Sequence, residues 1–319
     1  MAGRHAPRLS LAVALLLAPA LILAPGAAAQ DATIVAGLNG FRDSVATVHD
    51  TASLRRAERR LSRATDAPAS QAIRAAILDL RLGTIWDLDR AKAHCRDAVR
   101  LAPEWPYSWY CRGLATEAYG QATAADPLNL GLTPGSGAIE RGIDWYLEAL
   151  RRGPTFAPAA QALGELALGR GAAGRRAEAL AALRRAVPID GHATGPMLLT
   201  RGRIERLAGD PDSALAAFRA FDAGGGDHAL ALLELARTEL GNVPPGPHGD
   251  SLYFAGATLD DAAAIAGYRH DLRYVVSDTA LRGFDRAQGA ARAKWLRDFW
   301  EARDLVDLQP AGTRLPEHY

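Results

Sequence analysis

Three short stretches of the chain carry residue types that could do chemistry. At 94–95 a histidine precedes a cysteine, the pair that in other settings makes an imidazole base and a thiolate nucleophile. At 169–174 the run "GRGAAG" has the spacing with which a glycine-rich turn brings backbone N–H groups to a pyrophosphate. Cys95 and Cys111, the only cysteines, lie eight residues before and eight after Pro103. The first two lose their chemistry once position is considered. Neighbouring residues of a helix point about 100° apart, so His94 and Cys95 do not face each other. The glycine run follows "AAQALGELAL", which has a helical apolar period, whereas the pyrophosphate turn must follow a strand. None of the eight histidines stands in His-x-x-x-His or His-Glu-x-x-His spacing, and no Gly-x-Ser-x-Gly occurs. No catalytic, cofactor-binding or metal-binding set is therefore expected. The cysteine pair leaves two readings. Antiparallel helices joined near Pro103 put both residues at one level, either as a disulfide of an oxidising compartment or as two buried thiols.

The elements that position these residues come from a repeat. "RAERRLSRA", "RAKAHCRDA", "RGIDWYLEA", "AEALAALRRA" and "DSALAAFRAF" each carry a small residue with a larger one four positions on. The small residues are Ala57, Ala91, Gly142, Ala179 and Ala214, spaced by 34, 51, 37 and 35. The larger ones are Leu61, Cys95, Tyr146, Leu183 and Phe218. Small residues let helix axes approach, and the large residue fills the space opposite. The spacing of 51 contains a Gly/Pro-rich loop insertion over 120–137. Gly113 and Gly164, each 22 residues after the preceding small residue, belong to the partner helix of each pair. With these residues the pattern resembles the tetratricopeptide repeat, which implies an all-α solenoid of helical hairpins over 50–242.

The aromatic stretch "EWPYSWYC" lies in this array. Helical spacing puts Tyr107 and Tyr110 on the inner face of the superhelix and Trp105 and Trp109 elsewhere. Tyr107 and Tyr110, with Glu117, Gln161 and Glu165, are the candidate contacts for a protein or peptide partner. The competing reading makes these rings core filler.

The ends of the chain differ from the array. Residues 1–29 hold Arg4 and Arg8, the run "LSLAVALLLAPALILAP" and small residues ending at Ala29, the three-part pattern of a secretory signal peptide. Its removal leaves no segment apolar enough to span a membrane, a lead-in helix over 30–49, and an extracytoplasmic location, periplasmic or secreted. The remaining 35 basic and 36 acidic side chains give a net charge of −1, without the clustered positive charge that nucleic acid requires. A Pro/Gly linker is expected over 243–257 and a helical C-terminal module over 258–319. In that module Trp295, Leu296, Phe299 and Trp300 make one heavy apolar stripe, with Arg303 and Asp304 following and Glu317, His318 and Tyr319 at the end. These residues resemble the opening of the bacterial GWxTD domain. Neither the Gly-Trp-x-Thr-Asp signature nor the β-rich part of that domain follows, so an incomplete domain is expected, with the stripe exposed and able to drive self-association. The chain as a whole reads as a non-enzymatic binding scaffold without cofactor. The alternative is the N-terminal portion of a larger cell-envelope enzyme.

Overall fold

A computed structural model describes residues 27–62, 68–124, 135–189 and 195–319. The expected signal peptide falls outside them except for its last three residues, which begin the first helix. Most of the loop insertion, 125–134, also lies outside them. The described residues are all-α, and none of their helices is long and apolar enough to cross a membrane.

The helices form a solenoid of antiparallel hairpins. Ahead of the hairpins, α1 (Ala27–Ala46) and α2 (Thr51–Ser62) each pack on α3 (Ala69–Leu82). In chain order the pairs are then α3 with α4 (Ile85–Leu101), and α5 (Pro106–Ala124) with α6 (Gly135–Arg152). Then follow α7 (Ala157–Leu168) with α8 (Arg176–Ala186), α9 (Gly195–Ala208) with α10 (Pro211–Ala223), and α11 (His228–Leu240) with α12 (Gly249–Ala257). The "GRGAAG" run is a 3-10 turn that links α7 to α8, with no strand before it. Local signals start and stop the helices. The Thr84 hydroxyl accepts from Asp87 N–H at 3.2 Å and donates to the Asp87 carboxylate at 2.6 Å, so two side chains three apart begin α4. Asp210, Asp227, Asp261 and Ser277 cap later helices in the same way. Gly83, at φ +73°, ends α3 in the left-handed conformation that favours glycine.

The repeat residues hold the hairpins together. Ala91, Ala98, Ala149, Ala179 and Ala214 are fully buried, while Ala186 is half-buried. A methyl group built on Gly113 would stand 2.2 Å from the Tyr146 ring, and one on Gly164 would stand 2.3 Å from the Thr200 methyl. These glycines are where one helix backbone lies directly against a side chain of the next. Cys95 on α4 and Cys111 on α5 are joined by a disulfide across this core, with Cα atoms 5.5 Å apart.

Two expectations for the C-terminal third are corrected together. The linker predicted over 243–257 is a loop only as far as His248. Its second half is α12, which lies along α11 and buries Tyr253, Phe254 and Ala257. The chain continues as α13 (Ala262–Leu272), α14 (Asp278–Arg286), α15 (Gly289–Val306) and the short α16 (Arg314–Glu317). The stripe on α15 packs on α12 and α14 and is not an exposed face. Leu296 and Trp300 are buried, at 0% and 5% exposure, and Trp295 and Phe299 are half-buried. The Trp300 indole lies 3.4 Å from the Tyr253 hydroxyl, and its ring rests against His318. Trp295 sits edge-on to Phe284 and stacks on Phe299. The exposed apolar side chains at the end of α15 and just after it are Leu305, Val306 and Leu308.

The boundary between array and module runs through α11. One face of this helix belongs to the core that α12 to α16 share, through Leu230, Leu233 and Leu240. Its polar edge makes a charged joint. Glu234 is fully buried and bonds Arg203 at 2.7 Å, Arg206 at 2.6 Å and Arg237 at 2.9 Å. Arg237 in turn forks onto Asp271 of α13, whose carboxylate also accepts from the Tyr319 hydroxyl at 2.7 Å.

Candidate functional site

The helix α1 and the first helices of successive hairpins, α3, α5, α7 and α9, line one groove of about 750 Å³. Small residues make its walls approachable. Ala118 on α5 and Ala157 and Ala162 on α7 stand where larger side chains would close it. Four of the five candidate contacts meet there: Tyr110 and Glu117 from α5, and Gln161 and Glu165 from α7. They are brought together because residues seven apart, or four apart, repeat on one helical face, and α5 and α7 stack in the same register. Tyr107 does not join them. It is buried deeper, donates from its hydroxyl to Asn39 Oδ1 at 3.2 Å, and packs edge-on against Tyr110 and Phe156.

Below the groove opens a smaller apolar pocket of about 220 Å³. Ile73, Ile77, Leu114 and Tyr107 line it, and it shares Arg42, Leu80 and Leu114 with the groove above. Here Tyr107 takes a part, as pocket wall. The aromatic residues expected elsewhere, Trp105 and Trp109, are half-buried and line neither pocket. Trp109 donates to the Pro103 carbonyl at 2.7 Å and packs on Trp145, over which Arg112 lies at 3.9 Å.

The polar groups of the groove are set by burial. The Glu117 carboxylate accepts from the Tyr146 hydroxyl at 2.8 Å and from Gln121 at 3.0 Å. Burial raises its pKa, the Glu165 charge adds to the rise, and the Tyr146 bond opposes it. Burial likewise pushes the Tyr110 phenol up, with the Arg42 guanidinium pulling against it. Gln161 donates to Glu165, which leaves its own Oε1 buried with no donor. That arrangement can accept a hydrogen bond and attract a cation, and it offers no nucleophile with an adjacent base. His94 and Cys95 do not form such a pair either, since Cys95 is bonded to Cys111.

Residue patterns miss the contribution of α1. Asn39 and Arg42 complete the groove wall, yet α1 lies outside the repeat that places the other lining helices. The one available signal is position, since Arg42 stands among the few charges of a mostly small and apolar segment.

No protein-family model matches this chain, and no curated protein matches it in sequence.

Proposed function

We propose that the chain is a non-enzymatic scaffold that works outside the cytoplasm and holds a peptide segment of a partner protein in the groove of its first helices. The observation that carries this reading is the groove itself, a channel along five stacked helices with an apolar side pocket and polar groups above it. A channel of this kind fits an extended or helical segment better than a compact metabolite. Its charges suggest the segment's chemistry. Glu117 and Glu165 outnumber Arg42, and Glu165 accepts from Gln161, whose own Oε1 is buried and donorless. A lysine or arginine of the partner would supply both the positive charge and the missing donors. An apolar side chain nearby would fill the pocket of Ile73, Ile77 and Leu114.

The leader pattern and the disulfide support an extracytoplasmic site of action, because disulfides persist where thiols are not kept reduced. The resemblance to the opening of a GWxTD domain supports a role within a larger cell-envelope assembly.

A phage-displayed random peptide library panned on the full chain tests the reading. Enriched peptides should carry a basic residue near a large apolar one. Their binding should fall at least tenfold in Glu117→Gln/Glu165→Gln protein, the loss of about 1.4 kcal/mol or more. Enrichment of acidic peptides, or of peptides indifferent to both substitutions, would overturn it.

A further inference from the structure

The repeat offset that locates Gly113 and Gly164 also locates an anomaly. Twenty-two residues after Ala57, where the two later hairpins bury a glycine, α3 carries Asp79. A carboxylate thus stands at a position built for the closest helix approach. Asp79 is fully buried. Its Oδ1 accepts from Arg90 at 2.8 Å, while its Oδ2 is buried and accepts no hydrogen bond. That oxygen lies 3.6 Å from His94 Nε2, and the same nitrogen lies 3.6 Å from Glu58 Oε1. The three atoms, from α2, α3 and α4, all fall within 4.8 Å of one another.

These distances are long for a hydrogen bond and close to those between atoms that share a metal. An N–H donor and its acceptor stand about 2.7–3.2 Å apart. Two ligands at the roughly 2.0–2.1 Å of a zinc bond lie about 3.3 Å apart across a tetrahedral angle. The surroundings hold Asp79 in place: Arg90 pairs with Asp79 and Asp87, and Arg55 pairs with Asp87. A buried acceptor with no donor is costly, and a cation among the three atoms would remove the cost.

We propose that Glu58, Asp79 and His94 bind a divalent transition-metal ion, zinc(II) or one of similar softness, through Oε1, Oδ2 and Nε2. An imidazole ligand and only three protein donors disfavour calcium and magnesium, which take oxygen ligands in larger number. Arg90 is a positioning residue, holding Asp79 so that Oδ2 points at the ion. The His94 side chain is 18% exposed, which gives the ion a path in and leaves a fourth position for water. The ion would clamp α2 to the α3–α4 hairpin, one residue from Leu80 in the groove wall.

Titration of the chelator-stripped full chain with zinc chloride at neutral pH, by calorimetry with native mass spectrometry, tests this. One zinc per chain is expected, with a melting temperature that rises with zinc concentration. Asp79→Asn and His94→Gln should each weaken binding at least tenfold, and Arg90→Ala should weaken it less. The alternative occupant is a proton, with a charged His94 bridging the two carboxylates. Absence of zinc binding by the wild-type chain would favour that and overturn the proposal. Binding that survives both ligand substitutions, as at the exposed His228–Asp222 pair, would also overturn it. Should the variants fail to fold, the His94 Nε2 nitrogen-15 shift of the wild-type chain decides, since it must move on addition of zinc.

Discussion

Glu234 is shielded from solvent and faces three arginines. Burial by itself would raise its pKa, yet the charges of Arg206, Arg237 and Arg203 overcome burial and bring it down to about 2. An ordinary glutamate titrates near 4.3. A carboxyl depressed on folding contributes stability that is fully present above its unfolded value and is lost as pH falls through its folded one. The Glu234 contribution should therefore be complete above about pH 4.3 and fade toward pH 2. Glu234→Gln should cost about 3 kcal/mol at neutral pH, because it leaves arginines facing one another in a low-dielectric joint. Urea melts of both proteins across pH should show that gap narrowing in acid. A gap of the same size at pH 2.5 and pH 7 would mean that the charge of Glu234 is not what stabilises the joint.

At the scale of the element, the helix crossings make opposite predictions for similar substitutions. Gly113 lies against the Tyr146 ring, whose hydroxyl holds Glu117 in the groove. Gly113→Ala gains about 1 kcal/mol of helix propensity and loses more to overpacking, about 1–3 kcal/mol, for a net destabilisation. Because Tyr146 must shift, peptide binding in the groove should weaken as well. Gly40 of α1 has nothing near its missing side chain, so Gly40→Ala should stabilise by up to about 1 kcal/mol. Thermal melts of the two variants check both signs, and Ala98→Leu or Ala149→Leu should resemble Gly113→Ala. The α4–α5 hairpin is closed by the Cys95–Cys111 bond over a sequence separation of 16. Cys95→Ser with Cys111→Ser should lower stability by about 3 kcal/mol. Intact mass after alkylation without reductant should show no added label on the wild-type chain.

For the whole molecule, the α15 stripe is the centre of the C-terminal core that α11 shares with the helices after it. Trp300 is buried against Tyr253 and His318, so Trp300→Ala should cost about 3–5 kcal/mol, as for a core aromatic. A chain ending at residue 257 should self-associate, because it uncovers Leu233, Tyr253 and Phe254. Sedimentation of the full chain and the shortened one distinguishes this from the reverse order, in which the full chain would associate more.

The sequence by itself determined the all-α fold class and the burial of the small residues at 91, 98, 149, 179 and 214, which follow from residue size at helical spacing. It also brought Cys95 and Cys111 to one level, while the bond between them depended on where the two side chains point. Tertiary structure alone decided what covers the stripe at 295–300. The proline–glycine run at 243–248 reads as a linker, and the nine residues of α12 behind it are too few to show a period. That missed helix carries Tyr253 and Phe254, the surface on which Leu296 and Trp300 are buried. Arg42 and Asn39 reached the groove, and Glu58, Asp79 and His94, 21 and 15 residues apart in the chain, reached one another, through packing between helices. Spacing patterns describe ligands and partners within one element, and packing between elements obeys no spacing that a single sequence displays.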